Sequence, residues 1–216
     1  MEICLEEAMT NTAIVIAANP EDRLERVIRD RKRQVLDLVG DQLYLKDDPH
    51  VTLYAGNVVD VSAVNGIMNR IGVLLSKIKI EIKGWRIFDD TVTEKKTLVY
   101  ELERKSVEVL QNLQKQLFDG IALLLSKKLL KRFEGHYSDF GKEYKDNLDT
   151  YGFPFVGEDF IPHLTIASID KERFDEVWKH LKKERPGGKY MLVRLSLYVL
   201  NEEGDKITKI MDVGLR

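Results

Sequence analysis

The sequence predicts an α+β fold of two similar lobes, each an antiparallel sheet with helices outside, which face each other across a central groove. Strand-like and helix-like patterns alternate in the order βαβαββ and then αβαββ, so the second half of the chain resembles the first. One short pattern also occurs twice, as PHVTL at 49–53 and as PHLTI at 162–166. Since each half contains one copy, we expect both halves to line the same groove.

Size and composition predict one globular domain that spans residues 1–216 and includes both lobes. Hydrophobic residues make up 44% of the chain, which is enough for a packed core, and the net charge of −2 argues against a general nucleic-acid coat protein. Cys4 is the single cysteine, which fits a reducing compartment. No apolar run reaches the length of a signal peptide or of a membrane span. We therefore expect a cytoplasmic protein, cellular or viral, with no membrane association.

The first half of the chain begins with an apolar run at 12–18 (TAIVIAA), which predicts a buried strand. Asn19 is expected to cap the helix that follows, with Pro20 at its first position, and apolar residues at helical spacing extend this helix to about Val39. Acidic residues interleave the arginine-rich segment 23–33. This pattern favours the solvated face of a helix over an RNA-binding patch.

The first PHVTL pattern predicts a strand over 50–55, because apolar and polar residues alternate there. Asp60 or Ser62 begins a second helix with apolar residues at helical spacing. Two further strands are expected at 78–88 and 97–103, and the polar segment DDTVTEKK joins them.

The second half begins with a helix pattern over 106–131, which ends in basic residues as the helix dipole favours. Residues 132–158 contain glycine, proline and several aromatic residues without clear periodicity, so we expect a long loop that acts as a lid. The remaining predicted elements are a strand at 161–168, a helix at 171–184, and strands at 189–200 and 206–213.

The two repeated strands contain candidate catalytic residues. Alternation places His50 and Thr52 on one face of the first strand, and His163 and Thr165 on one face of the second. A single His-x-Thr strand is usually structural, but two copies with the same flanking residues indicate a shared function. Histidine titrates near neutral pH, so one imidazole can act as a base while the other acts as an acid. The two threonine hydroxyls can donate hydrogen bonds to a phosphate.

Other residues are candidates for substrate binding because of their position. Tyr54 is expected on the same face as His50, and Arg194 and Tyr198 lie on the polar face of the strand at 189–200. Arg194 either binds a phosphate or forms a surface ion pair. Aromatic residues ahead of the second motif either stack on a base or pack a loop onto the core; they are Tyr151, Phe153, Phe155 and Phe160.

The paired motifs resemble those of the 2H phosphoesterase superfamily, which is named for two His-x-Ser/Thr motifs. Segments at 84–88 (GWRIF) and 194–204 (RLSLYVLNEEG) are also similar to the family, and the resemblance covers about residues 12–214. It implies the two-lobed 2H fold and an activity like that of RNA ligases and cyclic phosphodiesterases. It also implies that His163 is the base and His50 the acid when a cyclic phosphate is hydrolysed, and that Tyr198 contacts the substrate.

These observations predict a metal-independent phosphodiesterase for 2′,5′-linked oligonucleotides, or for 2′,3′-cyclic phosphates of nucleotides or RNA ends. The expected partner is a nucleotide or short oligonucleotide substrate, with no cofactor and no obligate protein partner. Two alternatives stay open. One is a binding module for RNA or nucleotides without turnover. The other is a metal-dependent phosphohydrolase, for which the carboxylates near the motifs are Asp47, Asp48, Glu158 and Asp159.

Overall fold

The computed structural model describes residues 11–90, 94–201 and 207–216. Three features of the sequence analysis lie outside these ranges. They are Cys4, residues 91–93 of the polar segment DDTVTEKK, and the turn predicted around Gly204. The described residues form an α+β fold with antiparallel strands throughout, which confirms the predicted fold class. The strands are β1 (Thr12–Pro20), β2 (Val51–Val58), β3 (Ile78–Asp90), β4 (Lys95–Leu102), β5 (His163–Asp170), β6 (Gly188–Leu200) and β7 (Ile207–Gly214). The α-helices are α1 (Asp22–Val39), α2 (Val61–Leu74), α3 (Arg104–Ile121), α4 (Lys131–Glu134), α5 (Lys142–Tyr151) and α6 (Lys171–Leu181).

The strands are joined into one sheet in the order β2-β1-β6-β3-β4-β5, and β7 also pairs with β6. Along one edge β6 pairs with β1, and along the other it pairs with β3 through residues 188–192 and with β7 through 194–200. The strands expected in two sheets are therefore connected through β6. The end strands β2 and β5 contact each other, so the sheet curves until the two motif strands meet.

Helix α1 begins later than the sequence predicted. The strand β1 continues through Pro20, and Glu21 occupies the N-cap position without a side-chain hydrogen bond. Asn19, the expected cap, is instead a buried residue of β1. The helix ends at Val39 as predicted, and arginines such as Arg33 on its outer face are exposed.

The region between α3 and β5 differs from the prediction. Helix α3 ends at Ile121, where a short 3-10 turn follows, and the amide of Val59 donates to the carbonyl of Leu124. The segment 132–158 is not a long loop, because it contains most of α4, all of α5 and further 3-10 turns. These helices are too short for their periodicity to be recognised in the sequence.

Residues 122–160 are attached to the outer edge of β2 and to α3. Asn57 Nδ2 donates to the carbonyl of Lys128 (2.9 Å), and the amide of Ser126 donates to the carbonyl of Asn57 (2.9 Å). The buried amide of Gln114 on α3 donates to the carbonyls of Leu53 and Phe155, both at 2.9 Å. A covered edge strand cannot pair with another chain, so this segment protects the sheet. Its function as a lid stays a prediction, as does the division of a single domain into two lobes.

Among the helices of the described residues, none is both long enough and apolar enough to cross a membrane.

Candidate active site

Both motif strands have the same irregularity at the same place. The pairing of β2 with β1 skips Leu53, and the pairing of β5 with β4 skips Ile166. Each skipped residue directly follows the threonine of its motif. A bulge of this kind bends the strand and interrupts its alternation. The histidine and threonine of each motif therefore share one face of their strand, as predicted. Residues after the bulge do not continue that face.

The two histidines are held in the same way. His50 Nδ1 lies 2.6 Å from the carbonyl oxygen of Asp48, and His163 Nδ1 lies 2.7 Å from that of Ile161. A carbonyl only accepts hydrogen bonds, so Nδ1 of each ring is the donor and carries a proton. Neither Nε2 atom has a hydrogen-bond partner within the ranges described. Each Nε2 is therefore the atom available for proton transfer.

The neighbours of the two imidazoles differ in charge. Burial lowers the pKa of both His50 and His163 below the ordinary 6.5. The charges of His50 and Arg86 lower the pKa of His163 further, whereas Asp47 is among the groups that act to raise that of His50. β2 and β5 contact each other, so the two strands that carry the imidazoles lie side by side. Lys32 also acts to lower the pKa of His50, so the carboxylates of Asp47 and Asp48 are the charges that set the first imidazole apart from the second.

The motif threonines add two hydroxyl groups to the same centre. Thr52 and Thr165 are both half-buried, and each lies two residues after the histidine of its motif. Within the described parts of the chain, neither hydroxyl has a hydrogen-bond partner. Both can therefore donate to a substrate oxygen.

Arg86 and Phe88 of β3 are site residues that the sequence analysis did not single out. The ring of Phe88 lies 5.0 Å from that of His163, and the Arg86 guanidinium lies 4.9 Å from the centre of the Phe88 ring. Arg86 is opposite Val99, which is opposite Thr165, so Arg86 and Thr165 occupy one cross-strand row. Alternation within the GWRIF segment, which already resembled the family, was the available signal.

The first motif has a similar arrangement. The ring of Tyr198 lies 6.3 Å from that of His50, and Lys209 Nζ lies 5.7 Å from the centre of the Tyr198 ring. Tyr198 thus lies beside the first motif with a side chain that is only 5% exposed, and its contact with the substrate stays a prediction. Each histidine thus has an aromatic neighbour, and each aromatic ring has a cation beside it.

Asn19 connects the first motif to Tyr198. Its Nδ2 donates to the carbonyl of Pro49 (3.3 Å) and to the hydroxyl of Tyr198 (3.2 Å), and its Oδ1 accepts from Ser196 Oγ. Asn19 is 2% exposed and Ser196 is fully buried. Because Pro49 directly precedes His50, the Asn19 amide helps to fix the backbone that carries the imidazole.

We expect Asn19→Asp, which keeps the shape but lacks the amide donors, to lower kcat about ten-fold or more with a smaller change in KM. Leaving buried acceptors unpaired also costs about 1–3 kcal/mol of stability. The measurements are kcat, KM and their pH profiles, together with thermal unfolding. The control is Asn69→Asp on the exposed face of α2. If stability falls but kcat and its pH limbs stay as in the wild type, Asn19 is only structural.

Tyr54 does not line the groove, contrary to the prediction. Its side chain is 1% exposed and packs edge-on against Phe118 and Phe153. Its hydroxyl lies within hydrogen-bond distance of the carbonyls of Asn57 (3.2 Å) and Tyr151 (3.4 Å). The bulge at Leu53 separates Tyr54 from the face of Thr52.

The aromatic residues ahead of the second motif mostly belong to the core. Phe153 and Phe160 are 3% and 4% exposed, so they are not available to stack on a base. Tyr151 is half-buried against Phe118, and Phe155 is exposed but contacts Phe153. For Phe153 and Phe160, the packing alternative is therefore the correct one.

Three of the charged candidates have protein partners. Arg194 forms an ion pair with Glu25 (3.5 Å), which is the surface alternative to phosphate binding. Asp48 pairs with Arg29 (2.6 Å), and Asp159 accepts a hydrogen bond from Asn147 (3.1 Å). In the part of the chain that the structure describes, no three His, Cys, Asp or Glu side chains are grouped as metal ligands.

Comparison with solved structures finds the same fold in bacterial proteins. TT0787 of Thermus thermophilus has a TM-score of 0.57 at 14% identity, over 94% of this chain and 98% of that one. E. coli LigT in complex with NADP+ has a TM-score of 0.52 at 14% identity, over 95% and 99% of the two chains. The LigT complex with 3'-AMP has a TM-score of 0.51 at 13% identity, over 94% and 98%. At these identities the likeness shows the fold alone. No curated protein sequence matches the chain.

A sequence model of the 2'-5' RNA ligase superfamily matches residues 20–204, a range that includes both motifs. This match covers most of the chain, and it agrees with the resemblance that the two His-x-Thr strands carry. The chain belongs to the 2'-5' RNA ligase superfamily, the 2H phosphoesterases.

Proposed function

We propose that the protein is a phosphodiesterase that cleaves 2′,3′-cyclic phosphates or 2′,5′ linkages and uses no metal ion. The observation that carries this proposal is the pair of histidines, each with Nδ1 bonded to a carbonyl and with Nε2 lacking a partner among the described residues. Together with the hydroxyls of Thr52 and Thr165, which also have no partner in that part of the chain, they supply two proton-transfer groups and two donors around one phosphate.

In hydrolysis of a cyclic phosphate, His163 Nε2 takes a proton from the attacking water while His50 Nε2 donates its proton to the leaving ribose oxygen. One P–O bond forms to water and one breaks to ribose, so His163 ends protonated and His50 neutral. Exchange with solvent restores both. The charge of Arg86 favours the neutral form of His163, and the charge of Asp47 favours the protonated form of His50. The roles are exchanged when the reaction runs in the opposite direction.

The threonine hydroxyls stabilise the non-bridging oxygens as charge develops on them. Without a metal to generate hydroxide, the most accessible reactions use a neighbouring ribose hydroxyl or a strained cyclic phosphate. Ordinary DNA offers neither.

The LigT structures with 3'-AMP and NADP+ support a nucleotide as the ligand of this fold. We propose that the reaction takes place in the cytoplasm.

The test is a substrate panel analysed by liquid chromatography, in buffer that has been exhaustively treated with EDTA. We expect cleavage of 2′,3′-cyclic nucleotides or of 2′,5′-linked oligonucleotides. The reaction with 3′,5′-linked deoxyoligonucleotides should be slower by about 100-fold or more, a factor similar to the contribution of one acid–base group. The chelator should leave the rate unchanged.

Three results would contradict parts of the proposal. Loss of activity with EDTA and recovery with Mg²⁺, Mn²⁺ or Zn²⁺ would favour the metal-dependent phosphohydrolase. Efficient cutting of deoxyoligonucleotides would contradict the role of the 2′-oxygen. Tight binding of nucleotides without turnover of any substrate would favour the binding module.

A further inference from the structure

A second concave surface lies beside His163, outside the catalytic centre. It is a cleft of about 320 Å³ between β3, the end of β4, the start of α3 and the segment that precedes β5. This volume is at the lower end of the range for small-ligand sites. The residues on which the argument depends are Lys83, Arg86, Arg104, Val107, Ile161 and Pro162.

The cleft borders the second motif. Ile161 and Pro162 directly precede His163, and the carbonyl of Ile161 binds the imidazole Nδ1. Glu101, which also lines the cleft, lies directly opposite His163 in the pairing of β4 with β5. Arg86 belongs to both places, because it lines the cleft and its charge acts on His163. A ligand in the cleft therefore lies beside the segment that holds His163, and Arg86 connects the cleft to Phe88, which contacts His163.

The walls of the cleft combine apolar surface with balanced charge. Val107, Ile161 and Pro162 supply apolar surface for a flat ring. Lys83 and Arg86 both pair with Glu101, at 3.2 and 3.4 Å. Arg104 is 90% exposed and pairs with Glu108 of its own helix at 2.9 Å, and Glu103 and Glu158 of the lining balance the remaining positive charge. Such a surface does not attract long polyanions, but it suits a single nucleotide with one phosphate at its cationic side.

We propose that this cleft binds the neighbouring nucleotide on the 5′ side of the one that carries the reacting phosphate at an RNA end. The preferred substrate is then an RNA end with at least one further nucleotide, and a free cyclic mononucleotide is a poorer substrate. Arg86, between the cleft and His163, contacts the phosphate that links the two nucleotides. This inference rests on the proposed function and specifies the substrate class of the same active site.

The experiment compares kcat/KM for a 2′,3′-cyclic mononucleotide with that for di- and tetraribonucleotides ending in the same cyclic phosphate. In the wild type, we expect the dinucleotide to react about ten-fold faster than the mononucleotide, and the tetranucleotide to add little more. The combined variant Lys83→Ala and Arg104→Ala should lower this preference. Val107→Phe, which places a larger side chain in the cleft, should lower it as well.

The matched control is Lys105→Ala, an exposed cation on α3 that does not line the cleft; it should keep the wild-type preference. Thermal unfolding verifies that each variant is folded. Binding of a fluorescent dinucleotide with a terminal 3′-phosphate, measured by anisotropy, gives a readout that does not need turnover. We expect weaker binding in both cleft variants than in the Lys105 control.

The outcomes separate this inference from the proposed function. If the mononucleotide is cleaved but the dinucleotide has no advantage, or if the cleft variants match the control, the cleft does not bind the strand. If no phosphodiester is cleaved, the proposed function fails. In that case the binding experiment still tests the cleft. Weaker binding of the dinucleotide probe in the cleft variants than in the Lys105 control would support the cleft as its binding site, and equal binding would reject it.

Discussion

His50→Ala and His163→Ala should each lower kcat by about 10²–10⁴-fold or more, because the base and the acid are separate groups at one phosphate. Nδ1 of each imidazole is bonded to a carbonyl, so Nε2 is the atom that transfers the proton. Each alanine substitution removes that atom. The measurement is steady-state kinetics on the best substrate of the panel, with thermal unfolding of each variant. His180→Ala, on the exposed face of α6, is the control and should have wild-type kinetics.

The pH profile of kcat/KM adds a second readout for the two histidines. Burial lowers the pKa of both, so the base becomes neutral and the acid loses its proton at lower pH than usual. We therefore expect a bell-shaped profile with both limbs on the acid side of about 6.5. His163→Ala should remove the acidic limb and His50→Ala the alkaline limb. Near wild-type turnover in either folded variant would show that the two-histidine mechanism is wrong.

Thr52→Val and Thr165→Val should each lower kcat by about 10²-fold, the usual effect of removing one donor to a developing oxyanion. Valine keeps the branched shape, and neither hydroxyl has a partner within the described residues, so folding should be little affected. Because the charge on the phosphate oxygens increases towards the transition state, kcat should change more than KM.

Two comparisons make the threonine test specific. Thr52→Ser and Thr165→Ser retain a hydroxyl and should recover most of the activity. Thr150→Val on α5 removes a hydroxyl that donates to the carbonyl of Asp146 in its own helix, so its kinetics should match the wild type. If the valine variants change KM but not kcat, the hydroxyls contribute to ground-state binding alone.

The sequence predicted the fold class, the family and the strands that carry the motifs, because alternation and a repeated pattern are local properties. It did not predict the position of Tyr54, since the bulge at Leu53 depends on how β2 pairs with β1. Asn19 was misassigned for a similar reason. An asparagine before proline has the chemistry of a helix cap, and its hydrogen bonds to Pro49 and Tyr198 depend on residues distant in sequence.

Arg86 and Phe88 were missed because their importance comes from tertiary position. Alternation alone places them on one face of β3, but it cannot show that this face meets His163. The short helices within 132–158 were missed because contacts with β2 and α3 hold the segment that contains them, as the bonds of Gln114 and Asn57 show.

The position of β6 at the centre of the sheet has a consequence for synthesis on the ribosome. β1 pairs on one side with β2, which follows it closely, but on the other side with β6, and the hydrogen-bonded pair Asn19 and Tyr198 is 179 residues apart. Pairing between such distant segments forms slowly and waits for the whole intervening chain. A nascent chain that already contains both motifs therefore still lacks the strand that joins β1 to β3. The first strands must stay unaggregated until β6 has been made.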